Sequence, residues 1–268
     1  MEFYSIPVHL SLRTYLRFEL DGVLYQYTCM PNGYKDAPRL FTKLLKVPLS
    51  RIRDELGVTL AAYLDDSLGM ERGRKQDFKD LPYKLIEIFQ EFGYTINMDK
   101  SCLDLTQEIE FLGFILNSVK MTITLSEKKT DSIVNAIEEI LQTRDPTIRQ
   151  VCRVIGKIIA TMPANRFAKR FTNRAILLKD QALKMNHNDY DCIMALSEEV
   201  IKDFLQQKQE IAEAICPIFE SYPDFELFSD ASLRGWGIHA PFRRDKLSKF
   251  GGRWDDCHSQ KHINTLRL

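Results

Sequence analysis

No run of apolar residues in this sequence is long enough to span a bilayer, which argues against a membrane-spanning helix. The opening, MEFYSIPVHL, lacks the basic and then apolar order of a secretory signal. The six cysteines (Cys29, Cys102, Cys152, Cys192, Cys216 and Cys257) are scattered, and no Cys-x-x-Cys pair occurs among them. Neither a zinc site nor a disulfide framework is indicated, so the expectation is a reduced, intracellular protein of cytoplasm or nucleus with no membrane partner. Net charge is missing too, because 37 Lys and Arg balance 37 Asp and Glu. A zero balance by itself argues against a nucleic-acid binder.

The distribution of charge argues the other way. Arg144 to Lys184 holds ten Lys or Arg and only Asp145 and Asp180 as acids, whereas His187 to Phe228 holds ten acids and only Lys202 and Lys208 as bases. A positive block beside a negative one guides the choice of partner better than the total does. Hydrophobic residues at 44% and charged residues at 28% fit a globular chain of one large domain or two modest ones.

Two β-rich runs flank Asp21-Gly22, a strong hairpin signal. From Lys35 to Leu56 apolar residues recur at helical spacing, with Gly57 as the stop. The stretch VTLAAYL reads as a buried strand, Asp65-Asp66 as its turn and SLGME as the return strand. An amphipathic helix is predicted over 74–92 and a second hairpin within 108–125, turning near Asn117-Ser118. Helices are then predicted over 126–143, 147–162, 164–185 and 190–214, with Ser126 as an N-cap. Strand character returns after Pro223, and a boundary is expected near 215–224.

Asp65 and Asp66 pose the chemical question. Adjacent acids in a tight turn repel each other, so folding alone gives little reason for them. Either they form a solvated acidic turn or they hold a hard cation such as Mg²⁺, which takes oxygen ligands from one or two carboxylates and from substrate phosphates. Phosphoryl-transfer enzymes use two such ions about 3.5–4 Å apart.

The surrounding motifs favour the second reading. YLDDSL resembles the Tyr-x-Asp-Asp signature of reverse transcriptases. YSIPV with YLRFELDGVLYQYTCMPNGYKDAPRLFTKLL resembles the stretch from the first catalytic strand to the nucleotide-binding turn and its helix. FGYTINMDKS resembles the lysine-bearing motif, IEFLGFIL the primer-grip hairpin, and FSDASLRGWG the opening strand of a retroelement ribonuclease H. The order and the wording, including the terminal HINTLRL, are most similar to DIRS-type retrotransposons, with gypsy-like elements more distant.

This resemblance implies an α+β fold: a right-hand polymerase palm of antiparallel sheet and packing helices at 1–125, a helical thumb and connection at 126–215, and an incomplete ribonuclease H-like α/β segment at 224–268. It implies an RNA-directed DNA polymerase using Mg²⁺, deoxynucleoside triphosphates and RNA–DNA or duplex nucleic acid. Asp65 and Asp66 match the metal-binding aspartates, and Lys100 the general acid on the leaving pyrophosphate. Phe3 matches the aromatic gate against the sugar, Tyr63 the tyrosine beside the primer end, and Asn32 and Gly33 the turn beside the incoming base. The family more often has Gln or Phe where Asn32 stands. Phe111, Leu112 and Gly113 match the primer grip, and Asp230 the first ribonuclease H carboxylate. Arg149, Arg153 and Lys157 stand four apart, as do Arg166, Arg170 and Arg174, with Lys169 alongside. Each set reads as a phosphate-binding stripe or as a solvated basic face.

The family's first metal aspartate corresponds to a position three residues before Met1, and Arg267 stands where related elements carry a glutamate. The expectation is therefore a truncated reverse transcriptase with little activity by itself. A non-catalytic nucleic-acid-binding remnant and an incomplete gene model remain as alternatives.

Overall fold

The computed structural model describes residues 6–219, 226–240 and 248–254. Contacts divide the chain into two units, residues 1–216 and 217–268.

The first unit begins with a ribbon, β1 (Arg17–Leu20) and β2 (Val23–Gln26), in which Arg17 pairs with Gln26 and Leu20 with Val23. Asp21 and Gly22 turn it with positive φ at both positions, as a tight hairpin requires. All eight strand residues are exposed. Helix α1 (Ala37–Leu56) follows and ends where Gly57 takes φ +66° and donates its N–H to the Arg53 carbonyl. Its buried face (Phe41, Leu45, Leu49 and Ile52) covers Leu60 of β3 (Thr59–Tyr63) and Ile88 and Phe89 of α2 (Leu81–Glu91). The Arg53 guanidinium donates to the Leu60 carbonyl at 2.8 Å, so α1 fixes the strand that leads to Asp65.

β3 pairs antiparallel with β4 (Asp66–Met70). A meander of β5 (Glu108–Phe111), β6 (Phe114–Asn117) and β7 (Thr122–Leu125) is joined at its edge by β8 (Ile215–Pro217). Four helices make the larger core: α3 (Glu127–Gln142), α4 (Ile148–Ile159), α5 (Asn173–Met185) and α6 (Glu198–Ile211). On α4, Ile148, Val151, Ile155 and Ile158 repeat at helical spacing and are buried. Thr147 and Gln150 close a capping box at its start. The second unit shows a three-stranded antiparallel sheet in the order β11 (Ser248–Arg253), β10 (Gly235–Ala240), β9 (Phe228–Ala231). No helix among the described residues is long and apolar enough to cross a membrane.

Five expectations need correction. The turn between β3 and β4 is Leu64-Asp65, not Asp65-Asp66; Asp66 opens the return strand and pairs with Tyr63. The helix expected over 74–92 divides into a 3-10 turn (Lys75–Phe78) and α2, because Pro82 belongs in a first helical turn. The hairpin expected within 108–125 turns twice, the extra turn being Leu112-Gly113.

The helix expected over 164–185 starts only at Asn173. Before it, Asn165 accepts from the Phe167 N–H, and the Thr161 and Thr172 hydroxyls donate back to carbonyls, local bonds that compete with a helix. The helix expected over 190–214 starts at Glu198. Tyr190 and Cys192 instead accept from the Arg149 and Ile148 N–H groups, which the first turn of α4 leaves unpaired. Ser126 does hold the N-cap position of α3, but its side chain makes no capping bond.

Candidate functional site

The alternation of β3 and β4 decides what their tip presents. Leu60 and Ala62 pack toward α1 and α2. Tyr63 therefore lies on the opposite face, directly across from Asp66. Tyr63 is 61% exposed, and Asp65 and Asp66 are exposed as well. Neither carboxylate makes a hydrogen bond or an ion pair among the described residues. Leu64 holds φ +51°, uncommon for a residue with a bulky side chain and a cost of roughly 1–3 kcal/mol. The tip thus combines backbone strain with two unpartnered charges, a pairing that stability does not explain.

Two adjacent, exposed carboxylates match what Mg²⁺ takes from a protein when substrate and water oxygens complete its shell. Asp65 and Asp66 fit such an ion as a partial ligand set. Among the described residues no group of three or more His, Cys, Asp or Glu is placed to hold a metal.

Asn32 and Gly33 occupy the exposed turn ahead of α1, Gly33 at φ +85°. Lys100 ends a 3-10 turn (Met98–Lys100); its N–H donates to Asn97 Oδ1 at 3.2 Å and its side chain is exposed. Phe111 is half-buried at the end of β5, while Leu112 and Gly113 form a two-residue turn with φ +53° and +76°. On that turn sits Lys129 of α3, whose ammonium donates to the Leu112 carbonyl at 3.3 Å. Partial burial lowers the Lys129 pKa. None of the motifs in the sequence singles out Lys129. A cation at that position, one turn past a hairpin, was the signal available.

The basic block divides. Arg149 makes a fork with Asp191 at 2.7 and 3.1 Å, which raises the pKa of the guanidinium and lowers that of the carboxylate. Lys157 donates to Ser132 at 2.9 Å, and Arg174 to Asp203 at 2.9 Å. Arg153 is exposed with no such bond among the described residues. Arg166 and Arg170 lie in the turns before α5, so their spacing does not put them on a helix face. Arg166 Nε lies 3.2 Å from Cys216 Sγ, and Arg170 lies beside the Phe171 ring. The acidic block is thus in part the partner of the basic one.

In the second unit Asp230 lies on β9 opposite Gly237 and borders a hollow of about 360 Å³ with Arg234, Trp236 and Arg253. Phe3 and Arg267 lie outside the described residues.

Residues 2–116 match the family model of the reverse transcriptase (RNA-dependent DNA polymerase). The chain is 28% identical over 157 residues to the Gag-Pol polyprotein of Walleye dermal sarcoma virus, an alignment covering 58% of this chain and 8% of that protein. It is 30% identical over 105 residues to the Gag-Pol polyprotein of Woolly monkey sarcoma virus, covering 39% of this chain and 6% of that one. The chain therefore spans less than a tenth of either relative. Among solved structures, a foamy viral protease-reverse transcriptase in complex with RNA/DNA hybrid aligns with TM-score 0.63 and 18% identity, over 98% of this chain and 33% of that one. The same viral protein in complex with double-stranded DNA gives TM-score 0.59 and 16% identity, over 97% of this chain and 50% of that one. The mixed α and β architecture with antiparallel sheets is thus a right-hand polymerase fold, and residues 2–116 are similar in sequence to reverse transcriptases, among them those within retroviral Gag-Pol polyproteins.

Proposed function

We propose that this chain is a segment of a retrotransposon RNA-directed DNA polymerase of DIRS type, with a palm at 1–125, a thumb and connection at 126–215 and the start of a ribonuclease H-like domain at 224–268. The observation that carries this reading is the β3–β4 tip. Tyr63, Asp65 and Asp66 stand exposed there, their side chains unpartnered among the described residues, within the segment that matches the family model. The hybrid and duplex complexes of the foamy viral protein support nucleic acid as the partner.

In this reading Asp65 and Asp66 hold Mg²⁺, which when bound neutralises charge on the reacting phosphates. Tyr63 packs beside the primer end. Asn32 and Gly33 border the incoming deoxynucleoside triphosphate, with Phe3 against its sugar, and Lys100 protonates the leaving pyrophosphate. The turn formed by Phe111, Leu112 and Gly113 holds the primer strand. Arg149, Arg153, Lys157, Arg166 and Arg170 face the phosphate backbone, Arg153 with its charge uncommitted. Asp230 serves as a ribonuclease H carboxylate. Two-ion transfer needs a carboxylate that bridges both ions, beyond what an adjacent pair readily supplies. We therefore place polymerisation in the longer protein, and expect this chain alone to bind primer–template without extending it.

The test is a titration of the purified chain with an RNA–DNA hybrid and Mg²⁺, followed by primer extension. Hybrid binding, Mg²⁺ binding that Asp65→Asn with Asp66→Asn abolishes, and extension at background are expected. Robust extension lost on Asp65→Asn would show the chain to be a complete polymerase. Absence of hybrid binding would remove the reading altogether.

A further inference from the structure

The Leu112-Gly113 turn is not held by its own strands alone. Lys129, at the third helical position of α3, reaches over it. Its ammonium donates to the Leu112 carbonyl at 3.3 Å and lies 3.6 Å from the centroid of the Phe114 ring. Phe114 in turn packs against the helical core. A second bond runs parallel, from the Ser126 N–H to the Gly113 carbonyl at 3.1 Å. The lysine stem fits the turn closely: a Cβ added to Gly113 would come within 3.0 Å of Lys129 Cδ. Gly113 also sits at φ +76°, so glycine answers two demands at once.

We propose that Lys129 is a positioning residue that clamps the Leu112-Gly113 turn to the first turn of α3, so that the turn and the helix present themselves to the primer strand as one rigid piece. The clamp itself stands on the geometry; its consequence for the primer rests on the function proposed above. Both bonded carbonyls lie in the turn, and both donors, Ser126 N–H and Lys129 Nζ, lie at the start of α3. Positive φ at both residues is what a tight hairpin takes, but at Leu112 it falls on a bulky side chain, and the tie to α3 helps hold that strained turn. The ammonium suits this task better than a neutral donor. It hydrogen-bonds the carbonyl with full charge and lies against the electron-rich ring face at the same time.

The experiment compares wild type with Lys129→Met, which keeps the stem and removes the donor, and Lys129→Arg, which restores a cation and donors. Two readouts are taken on the full chain: hydrogen exchange of the Ser126 amide, and affinity for a short fluorescent RNA–DNA hybrid. Lys129→Met is expected to speed Ser126 exchange roughly tenfold, the order of effect of losing a charge-assisted hydrogen bond, and to weaken hybrid binding. Lys129→Arg should recover both. Wild-type exchange at Ser126 in Lys129→Met, even with a lowered melting temperature, would overturn the clamp. Faster exchange with unchanged hybrid affinity would overturn its role toward the primer. If wild type binds no hybrid, the proposed function fails, while the exchange measurement still decides whether the clamp exists.

Discussion

The helical region and the strand region of the first unit spend their polar groups in opposite ways. Among the helices, much of the charge is committed: Arg149 to Asp191, Arg174 to Asp203, Lys208 to Glu138 at 2.6 Å, with Arg153 an exception among the described residues. Beneath these pairs Ile148, Ile158 and Phe204 are fully buried. Around the strands, Asp65, Asp66 and Lys100 are exposed and their side chains are uncommitted among the described residues, and the turn that holds Asp65 has a positive φ at Leu64. The difference separates a body that stabilises from tips that are available to bind.

The largest effect should come from the body. Phe204→Ala is expected to cost about 3–5 kcal/mol, the usual range for emptying a packed aromatic site. The double change Asp65→Asn, Asp66→Asn should alter stability by less than about 0.5 kcal/mol, as for surface positions elsewhere. Urea unfolding followed by circular dichroism measures both, and comparable losses would erase the contrast. Next comes the cap of α4. Thr147→Ala removes a complete capping box and should cost about 1–2 kcal/mol in the same assay.

The strand side should show a smaller change, because two effects oppose there. Leu64→Gly relieves a positive φ but removes a half-buried side chain that packs on the α1 and α2 core, so the net shift is expected to stay within about 1 kcal/mol. A larger loss would mean that the Leu64 side chain, not the backbone, governs that tip. The smallest change concerns binding. Arg153→Ala should reduce the magnitude of the log–log salt slope for duplex DNA by about 0.9, the value for one phosphate contact. Arg149→Ala should reduce it less, because that guanidinium is already engaged by Asp191. Equal slopes for the two variants would show that the pairing does not restrain Arg149 in solution.

Periodicity made α1 and α4 legible, because each buries one stripe of a long repeat and carries its own punctuation in Gly57 or Thr147. It overran α5 and α6. The turns of 160–172 bury Ala164, Ala168 and Phe171 without a helix, so their apolar spacing imitates one. Asp65-Asp66 stood out in the sequence as an exposed acidic pair, and its turn was misplaced by one position. A turn at Leu64 contradicts the usual choice of turn residue, and only the Tyr63–Asp66 pairing reveals it. The Arg149–Asp191 pair spans 42 positions and Lys129–Leu112 spans 17, distances over which sequence spacing says nothing.

The β1–β2 ribbon has a consequence for handling. It carries Phe18, Leu20, Val23, Leu24 and Tyr25 in the open, with no third strand beside it among the described residues. Unpaired strand edges with apolar side chains template association with other chains. Arg17 and Glu19 are the charges that interrupt this segment, so they act as its gatekeepers. Neutralising Glu19 to valine would lengthen the uninterrupted β-prone run at the start of the ribbon. Light scattering of the concentrated chain should then rise with time at a stability that unfolding curves report as unchanged. Solubility and thermodynamic stability would part company at a single exposed position.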